Sequence, residues 1–386
     1  MLELVGLEVV DNHVHPWRAS TSTVTADELA GHVAFSETVV TSVRRQFLPQ
    51  DELAPSLRLF RETNLGCRYF LRELAGFLDV EPDWPTVTAA RNAQAAADYH
   101  AWTAHLFSDV GLQTLLVDEG GAQPRITLSE LASHVPGRLL RVARADNFIR
   151  DLLLEEDSWP RFFERYQQAL EDALSDGAIA FKSVIAYRTG LDVSQPTESE
   201  AAAAFDRTRL EVEGAQKTLR DFLLCHTMDV ARERNVWMHI HAGVGDPDIV
   251  FEHANPAQLY PLLHSERFRR NRVVLVHGGW PWLAEAAAMV SILPNVYLDL
   301  SEGALFGMAN VRHRLQEALE ACPYTKILYG ADGSLPEALW IAARRFKAIL
   351  ARLLDDLVEE GFCVDGDVLQ IAESILSGNA RRLYRL

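Results

Sequence analysis

Residues 9–16 read Val-Val-Asp-Asn-His-Val-His-Pro, an apolar run that ends in two histidines one residue apart. On a strand, positions i and i+2 point the same way, so His13 and His15 share one face at the strand's end. Three later segments repeat the pattern. Residues 236–243 (Val-Trp-Met-His-Ile-His-Ala-Gly) carry His239 and His241, residues 273–279 (Val-Val-Leu-Val-His-Gly-Gly) carry His277, and residues 327–333 (Ile-Leu-Tyr-Gly-Ala-Asp-Gly) carry Asp332. Imidazoles with a carboxylate form the ligand set that zinc and similar divalent ions take. Ligands that each follow an apolar run gather at the C-terminal ends of strands, where α/β barrels keep their active sites.

The rest of the chain supplies the strands such a barrel needs. Short apolar runs predict strands at 8–11, 114–117, 139–143, 179–184, 236–240, 272–276, 296–300 and 326–329. Most are continuous rather than alternating, as in parallel strands covered on both faces. Helix-like stretches separate them, and Thr25 to Glu28 and Thr197 to Glu200 read as capping boxes. The expected fold is α/β, a distorted (β/α)8 TIM barrel forming one domain over residues 1–386. The connection from strand one to strand two, Pro16 to Gln113, is far longer than a barrel loop and rich in aromatics. It predicts a helical insertion over 18–112 that caps the active site. A second lid is expected between Tyr187 and Ala215.

Bulk properties narrow the partners. The 386 residues include 54 acidic and 37 basic side chains, a net charge of −17, which repels phosphate backbones and anionic lipids. Nucleic acid and membrane partners are therefore not expected; a small-molecule substrate is. Cys67, Cys225, Cys322 and Cys363 form no CxxC pair and read as reduced thiols of a cytoplasmic chain. The first residues lack the basic start and cleavage site of a signal peptide.

Each candidate residue has a chemical reason. Asp332 beside a metal can bind the ion and also take a proton from its bound water. His241 is nearer its strand end than His239 and is the better ligand, while His239 lies deeper, against the substrate or else in the core behind the ligands. Gly278-Gly279 after His277 would let a ligand approach the backbone closely. Lys182 stands in an apolar strand, where an ammonium needs a partner. It either pairs with a carboxylate or is carboxylated by CO2 into an anionic ligand that bridges two ions. Arg188, with Tyr187, could hold a substrate carboxylate at the barrel mouth. Trp17, Asp118, Glu119, Asp246, Ser301 and Glu302 follow strand ends and are expected to line the pocket.

Taken in order, DNHVHP (11–16), FKSVIAYRTGL (181–191), HIHAGVGD (239–246), VLVHGGWP (274–281) and YGADGSLPE (329–337) resemble the amidohydrolase superfamily, in its amidohydrolase-2 branch. The ending Ser377 to Tyr384 is similar too. Within the branch, the chain is most similar to the amidohydrolase domain that precedes glutamine synthetase in some fungal and plant proteins. The resemblance implies one or two divalent ions, Zn2+ first, with Mn2+ or Fe2+ as alternatives. It places His13, His15 and Asp332 at the first ion and His241 and His277 at the strand-five and strand-six positions. In one-metal members the His277 position polarises substrate or moves protons; in two-metal members a carboxylated strand-four lysine bridges the ions. It further implies a homo-oligomer and a metal-dependent hydrolase of an amide C–N bond in a carboxylate-bearing substrate. The alternative is a metal-dependent decarboxylase of an aromatic or unsaturated acid.

Overall fold

The computed structural model describes residues 4, 6–33, 48–120, 125–210, 214–245 and 249–386. Asp246 lies outside the described residues. Eight parallel strands follow one another in chain order around a single sheet: β1 (Val9–Val14), β2 (Leu112–Asp118), β3 (Arg138–Arg144), β4 (Ala178–Ser183), β5 (Trp237–His241), β6 (Val273–Val276), β7 (Val296–Asp299) and β8 (Ile327–Leu328). The barrel nearly closes between its first and last strands. Asn12 N donates to Tyr329 O at 3.0 Å, Asp332 N to His13 O at 2.8 Å, and His15 N to Gly333 O at 2.9 Å. Asp11 adds a side-chain tie, its Oδ1 accepting from Ala331 N at 2.9 Å. These bonds fasten the two ends that carry His13, His15 and Asp332 to each other. The fold is the expected (β/α)8 barrel.

Strand parity divides the barrel into two cores. Outward residues such as Val9, Leu115, Phe181, Met238 and Leu275 pack against the surrounding helices. Inward residues Val10, Leu116, Val142, Ala180, Trp237, Val274 and Leu328 form a second, smaller core. The last helix, Asn379–Tyr384, seals this inner core from below with Ala380 and Leu383, and Trp237 Nε1 donates to Leu383 O at 3.0 Å. With the lower barrel filled by apolar side chains, inward positions further along the same strands are polar: Asp118, Arg144, Lys182, His241 and Asp299. A pocket can therefore open only at the C-terminal rim.

Between β1 and β2 the described residues form helices Ala26–Gly31, Gln50–Thr63, Leu65–Leu78, Trp84–Ala97 and Tyr99–Val110. Both capping boxes are present: Thr25 with Glu28 opens the first of these, and Thr197 with Glu200 opens Glu198–Arg209. The insertion grips the helix Pro336–Glu359 that follows β8. Trp340 Nε1 donates to Asp109 Oδ2 at 2.7 Å, Phe77 lies 5.2 Å from the Trp340 ring, and Trp102 Nε1 donates to Glu337 Oε1 at 2.6 Å. Cys67, Cys225, Cys322 and Cys363 are free thiols. Among the described residues no helix is long and apolar enough to cross a membrane.

Candidate metal centre

Asp332 is the point on which the rim converges. Its Oδ1 lies 3.2 Å from His13 Nε2 and 3.2 Å from His15 Nε2, and its Oδ2 lies 3.9 Å from His277 Nδ1. The His13 ring is 5.1 Å from that of His15 and 5.0 Å from that of His277, and His241 stacks obliquely 4.4 Å from His277. Lys182 Nζ reaches His13 Nε2 at 3.3 Å and Asp118 Oδ2 at 3.8 Å. Among the described residues, two groups have metal-ligand spacing: His13, His15 and Asp118, and His13, His277 and Asp332.

The donor chemistry fits a divalent cation. His13 Nδ1 and His241 Nε2 are buried without a hydrogen-bond partner from the protein. Such atoms cost free energy unless something meets them. Burial holds the pKa of His241 and His277 well below the usual range, and burial with the Lys182 charge lowers that of His13. These rings are therefore neutral and offer lone pairs at neutral pH. His15 is the exception: burial pulls it down, but the hydrogen bond and charge of Asp332 raise it overall. Asp332 itself is held well below the carboxylate range. Burial pushes its pKa up, and His277, His13 and His15 more than reverse that. A dense set of neutral imidazoles around an ionised carboxylate is a cation site lacking protons of its own.

Local backbone explains how these side chains reach one point. Pairing of β1 with β2 slips register between Asp11 and Val14. Asn12 and His13, adjacent in sequence, consequently both reach the barrel interior, which strict alternation forbids. His277, Glu302 and Asp332 each adopt positive φ (77°, 60° and 64°) just past β6, β7 and β8. Non-glycine residues there carry strain and cluster at functional sites. Asp332 is not a helix cap; Leu335 precedes the helix Pro336–Glu359. Gly278 and Gly279 serve the turn itself, with φ of 64° and 70°, and a Cβ on Gly279 would lie 2.6 Å from Pro256 Cγ. The turn and the packing behind His277 therefore each call for glycine here.

The other expected residues fall into two groups. Tyr187 joins the cluster, its ring 4.4 Å from His241, and Glu302 Oε2 lies 4.0 Å from His277 Nδ1. Arg188 follows Tyr187 at the exposed edge of the mouth. His239 and Trp17, expected at the substrate, are placed elsewhere. His239 is fully buried one inward position below His241, where its Nε2 bonds Tyr384 Oη at 2.7 Å. Trp17 is buried against His134, with rings 6.3 Å apart. Glu119 binds Arg141 on the flank at 2.6 Å.

Asp118 gains more weight than its sequence suggests. It is fully buried, and Arg144 grips it through two bonds of 2.9 and 2.5 Å. Burial opposes its ionisation, but the charges of Arg144, Lys182 and His15 hold its pKa well below the usual range. Sequence reading passed over Arg144, Asp299, Asn12 and Tyr384. The available signal was a charged residue closing each of two apolar strands, Arg144 on β3 and Asp299 on β7.

Known proteins resemble this chain in sequence and in fold. The amidohydrolase profile Amidohydro_2 matches residues 135–386, which hold Lys182, His241, His277 and Asp332. The chain is 31% identical over 345 residues to protein FluG of Emericella nidulans; the match covers 79% of this chain but spans only 39% of that protein's length. A Lactobacillus casei protein described as a metal-dependent hydrolase has 25% identity and a TM-score of 0.84 over 99% of this chain and 96% of its own. Uronate isomerase from Thermotoga maritima superposes with a TM-score of 0.71 at 13% identity, covering 98% of this chain and 95% of its own, and so shares the fold alone. Because the profile spans well over half of its residues, the chain belongs to the amidohydrolase family, and it is an enzyme of that family.

Proposed function

We propose that the chain is a metal-dependent hydrolase that cleaves the C–N bond of an amide in a small substrate bearing a carboxylate. The observation that carries this reading is the half-buried Asp332 carboxylate with three imidazoles within 3.9 Å of its oxygens. His13, His15, His241 and Asp332 would hold a divalent ion, zinc first, with manganese or iron as alternatives. When bound, that ion polarises the carbonyl and makes hydroxide available at neutral pH. Asp332 directs Oδ1 at His13 and His15 and leaves Oδ2 toward His277. Oδ2 takes the proton lost as water adds to the carbonyl carbon, and returns it to the nitrogen as the C–N bond breaks. His277, neutral and buried, stands beside that oxygen, its Nδ1 3.9 Å away. Arg188 and Tyr187 at the rim bind the substrate carboxylate, and the 18–112 insertion covers the mouth. Lys182 has two readings: carboxylated, it bridges two ions; unmodified, it neutralises Asp118 at 3.8 Å. Burial brings its pKa down to about 8 against the pull of Asp118, which enlarges the neutral-amine fraction that carboxylation needs, while the contact with Asp118 supports the ion pair.

The test combines metal content per chain, from protein grown and purified with bicarbonate, and a screen of N-acyl and γ-glutamyl amides for released amine. About two ions per chain supports the bridging lysine, and about one supports the ion pair. Asp332→Asn is expected to lower amine release by about 10²-fold or more. A variant that still binds metal and hydrolyses at the wild-type rate removes Asp332 as the base. Release of CO2 from an aromatic or unsaturated acid, with no amine released from any amide, would replace the hydrolase with a lyase.

A further inference from the structure

A chain of hydrogen bonds crosses the barrel beneath the site, from the C-terminal helix to His277. His239 Nε2 bonds Tyr384 Oη at 2.7 Å, and Tyr384 Oη donates to Asn12 Oδ1 at 2.7 Å. Asn12 Nδ2 donates to Asp299 Oδ2 at 2.7 Å. Asp299 Oδ1 accepts from the Ser301 hydroxyl and from Ser301 N at 2.9 Å, and Ser301 Oγ lies 3.0 Å from His277 Nδ1. Asn12, His239, His277, Asp299 and Ser301 are all buried. Apart from the local Asp299–Ser301 bonds, these contacts span 24 to 372 positions in sequence, so tertiary structure specifies them.

The direction of every proton follows from the geometry around Asp299. Its Oδ1 accepts from the backbone N–H groups of Ser301 and His277 and its Oδ2 faces the Asn12 amide, so Asn12 presents its NH2 to Asp299 and its oxygen to Tyr384. Tyr384 gives its proton to that oxygen and accepts from His239 Nε2–H. At the other end, the Ser301 hydroxyl gives its single proton to Asp299 Oδ1, which the two backbone donors already mark as an acceptor. Ser301 Oγ can then only accept from the ring. We propose that Ser301, backed by Asp299, Asn12 and Tyr384, is a positioning residue that holds His277 with its proton on Nδ1 and its lone pair on Nε2. Such partners fix the tautomer and orientation of metal-site histidines. Gly330 keeps the arrangement tight: a Cβ there would lie 2.6 Å from Asp299 Oδ2 and 2.8 Å from Ser301 Cβ. The tautomer assignment rests on hydrogen-bond geometry; only the use made of His277 rests on the hydrolase reading.

The test reads the ring nitrogens of metal-free, ¹⁵N-histidine-labelled protein by long-range ¹H–¹⁵N correlation, with His277 assigned by its loss in His277→Gln. Wild type is expected to show a pyrrole-like Nδ1 and a pyridine-like Nε2. Ser301→Ala is expected to mix or invert this pattern, and Ser301→Thr to restore it. Tyr384→Phe, which leaves Ser301 in place, is expected to alter His239 fully and His277 in part, and it keeps the question answerable if Ser301→Ala does not fold. Zinc affinity, measured against a competing chelator, should fall about 10–100-fold in Ser301→Ala and recover in Ser301→Thr. A wild-type proton on Nε2, or an unchanged His277 pattern in Ser301→Ala, overturns the proposal. Failure to release amine from any amide, with this tautomer present, would count against the hydrolase reading alone.

Discussion

Arg91 and Glu337 tie the helical insertion to the segment that carries Asp332, and breaking the pair should be costly. Both side chains are fully buried, with Arg91 Nε 2.6 Å from Glu337 Oε1. The same oxygen accepts from Trp102 Nε1 at 2.6 Å, while Arg91 Nη1 donates to Ser22 O at 3.0 Å and to Asn92 Oδ1 at 3.1 Å. Removing one partner of a buried pair leaves an uncompensated charge and costs about 3–5 kcal/mol. Arg91→Met should fall in this range, because it strands the Glu337 carboxylate. Glu337→Gln keeps an oxygen for Arg91 and Trp102, so it loses mainly the charge and should cost about 3 kcal/mol. The double variant buries neither charge and should be more stable than the summed single losses predict, by about 2 kcal/mol or more. Equilibrium urea unfolding of wild type, both single variants and the double, followed by tryptophan fluorescence, closes the cycle. Coupling below about 0.5 kcal/mol, the additivity limit for independent sites, would refute the claim that this pair fastens the insertion. Glu337 lies five positions after Asp332, in the first turn of its helix. Loss of the pair should therefore also lower activity at temperatures where the barrel remains folded.

Two further variants probe packing, one distant from the ligand cluster and one directly behind it. Lys347 Nζ donates to Leu7 O at 2.6 Å and to Val110 O at 2.7 Å, and burial, against the pull of Asp109, brings its pKa down to about 8. With the folded value below the unfolded one, the native state holds fewer protons between roughly pH 8 and 10.5, so this lysine makes stability rise with pH across that window. The stability of wild type relative to Lys347→Met should climb by up to about 1.4 kcal/mol per pH unit there, and a flat difference would contradict the assignment. Gly330→Ala forces a Cβ to 2.6 Å from Asp299 Oδ2. Overpacking of this kind costs about 1–3 kcal/mol, and an unchanged melting temperature would show that the β7 and β8 ends yield.

What could be read in the chain was whatever depends on near neighbours. Continuous apolar runs mark the strands because a parallel strand is buried on both faces, and the capping boxes at Thr25 and Thr197 close within three residues. The ligand residues stand out because a histidine or aspartate ending an apolar run has no core role to fill. The hydrogen-bonded chain beneath them was not legible, because its members are distant in sequence. Asn12 meets Asp299 across 287 positions and Tyr384 across 372. Nothing local distinguishes Tyr384 from another amphipathic tyrosine near a chain end. The inward placement of both Asn12 and His13 depends on a register slip that strand periodicity cannot show. His239 was assigned to substrate for the same reason: alternation gives the face of a side chain but not its depth along the barrel.

Strain and unmet polar atoms at the rim have a common cause. β6, β7 and β8 end in a left-handed residue that turns a side chain back toward the barrel axis: His277 and Glu302 one and three positions past their strands, Asp332 four past its own. A non-glycine residue in that region costs about 1–3 kcal/mol. A chain selected for stability alone would carry glycine there, as it does at Gly278 and Gly279. The strain is tolerated because the barrel below is over-determined, by the apolar inner core around Val10, Val142 and Trp237 and by the seal of Leu383. The rim in turn accepts buried, partnerless atoms on His13 and His241. Two local rules of stability are broken side by side at this end of the barrel, on residues able to ligate a cation. That coincidence is what selection for a ligand produces, since bound ligand returns free energy to the folded state that the protein alone lacks.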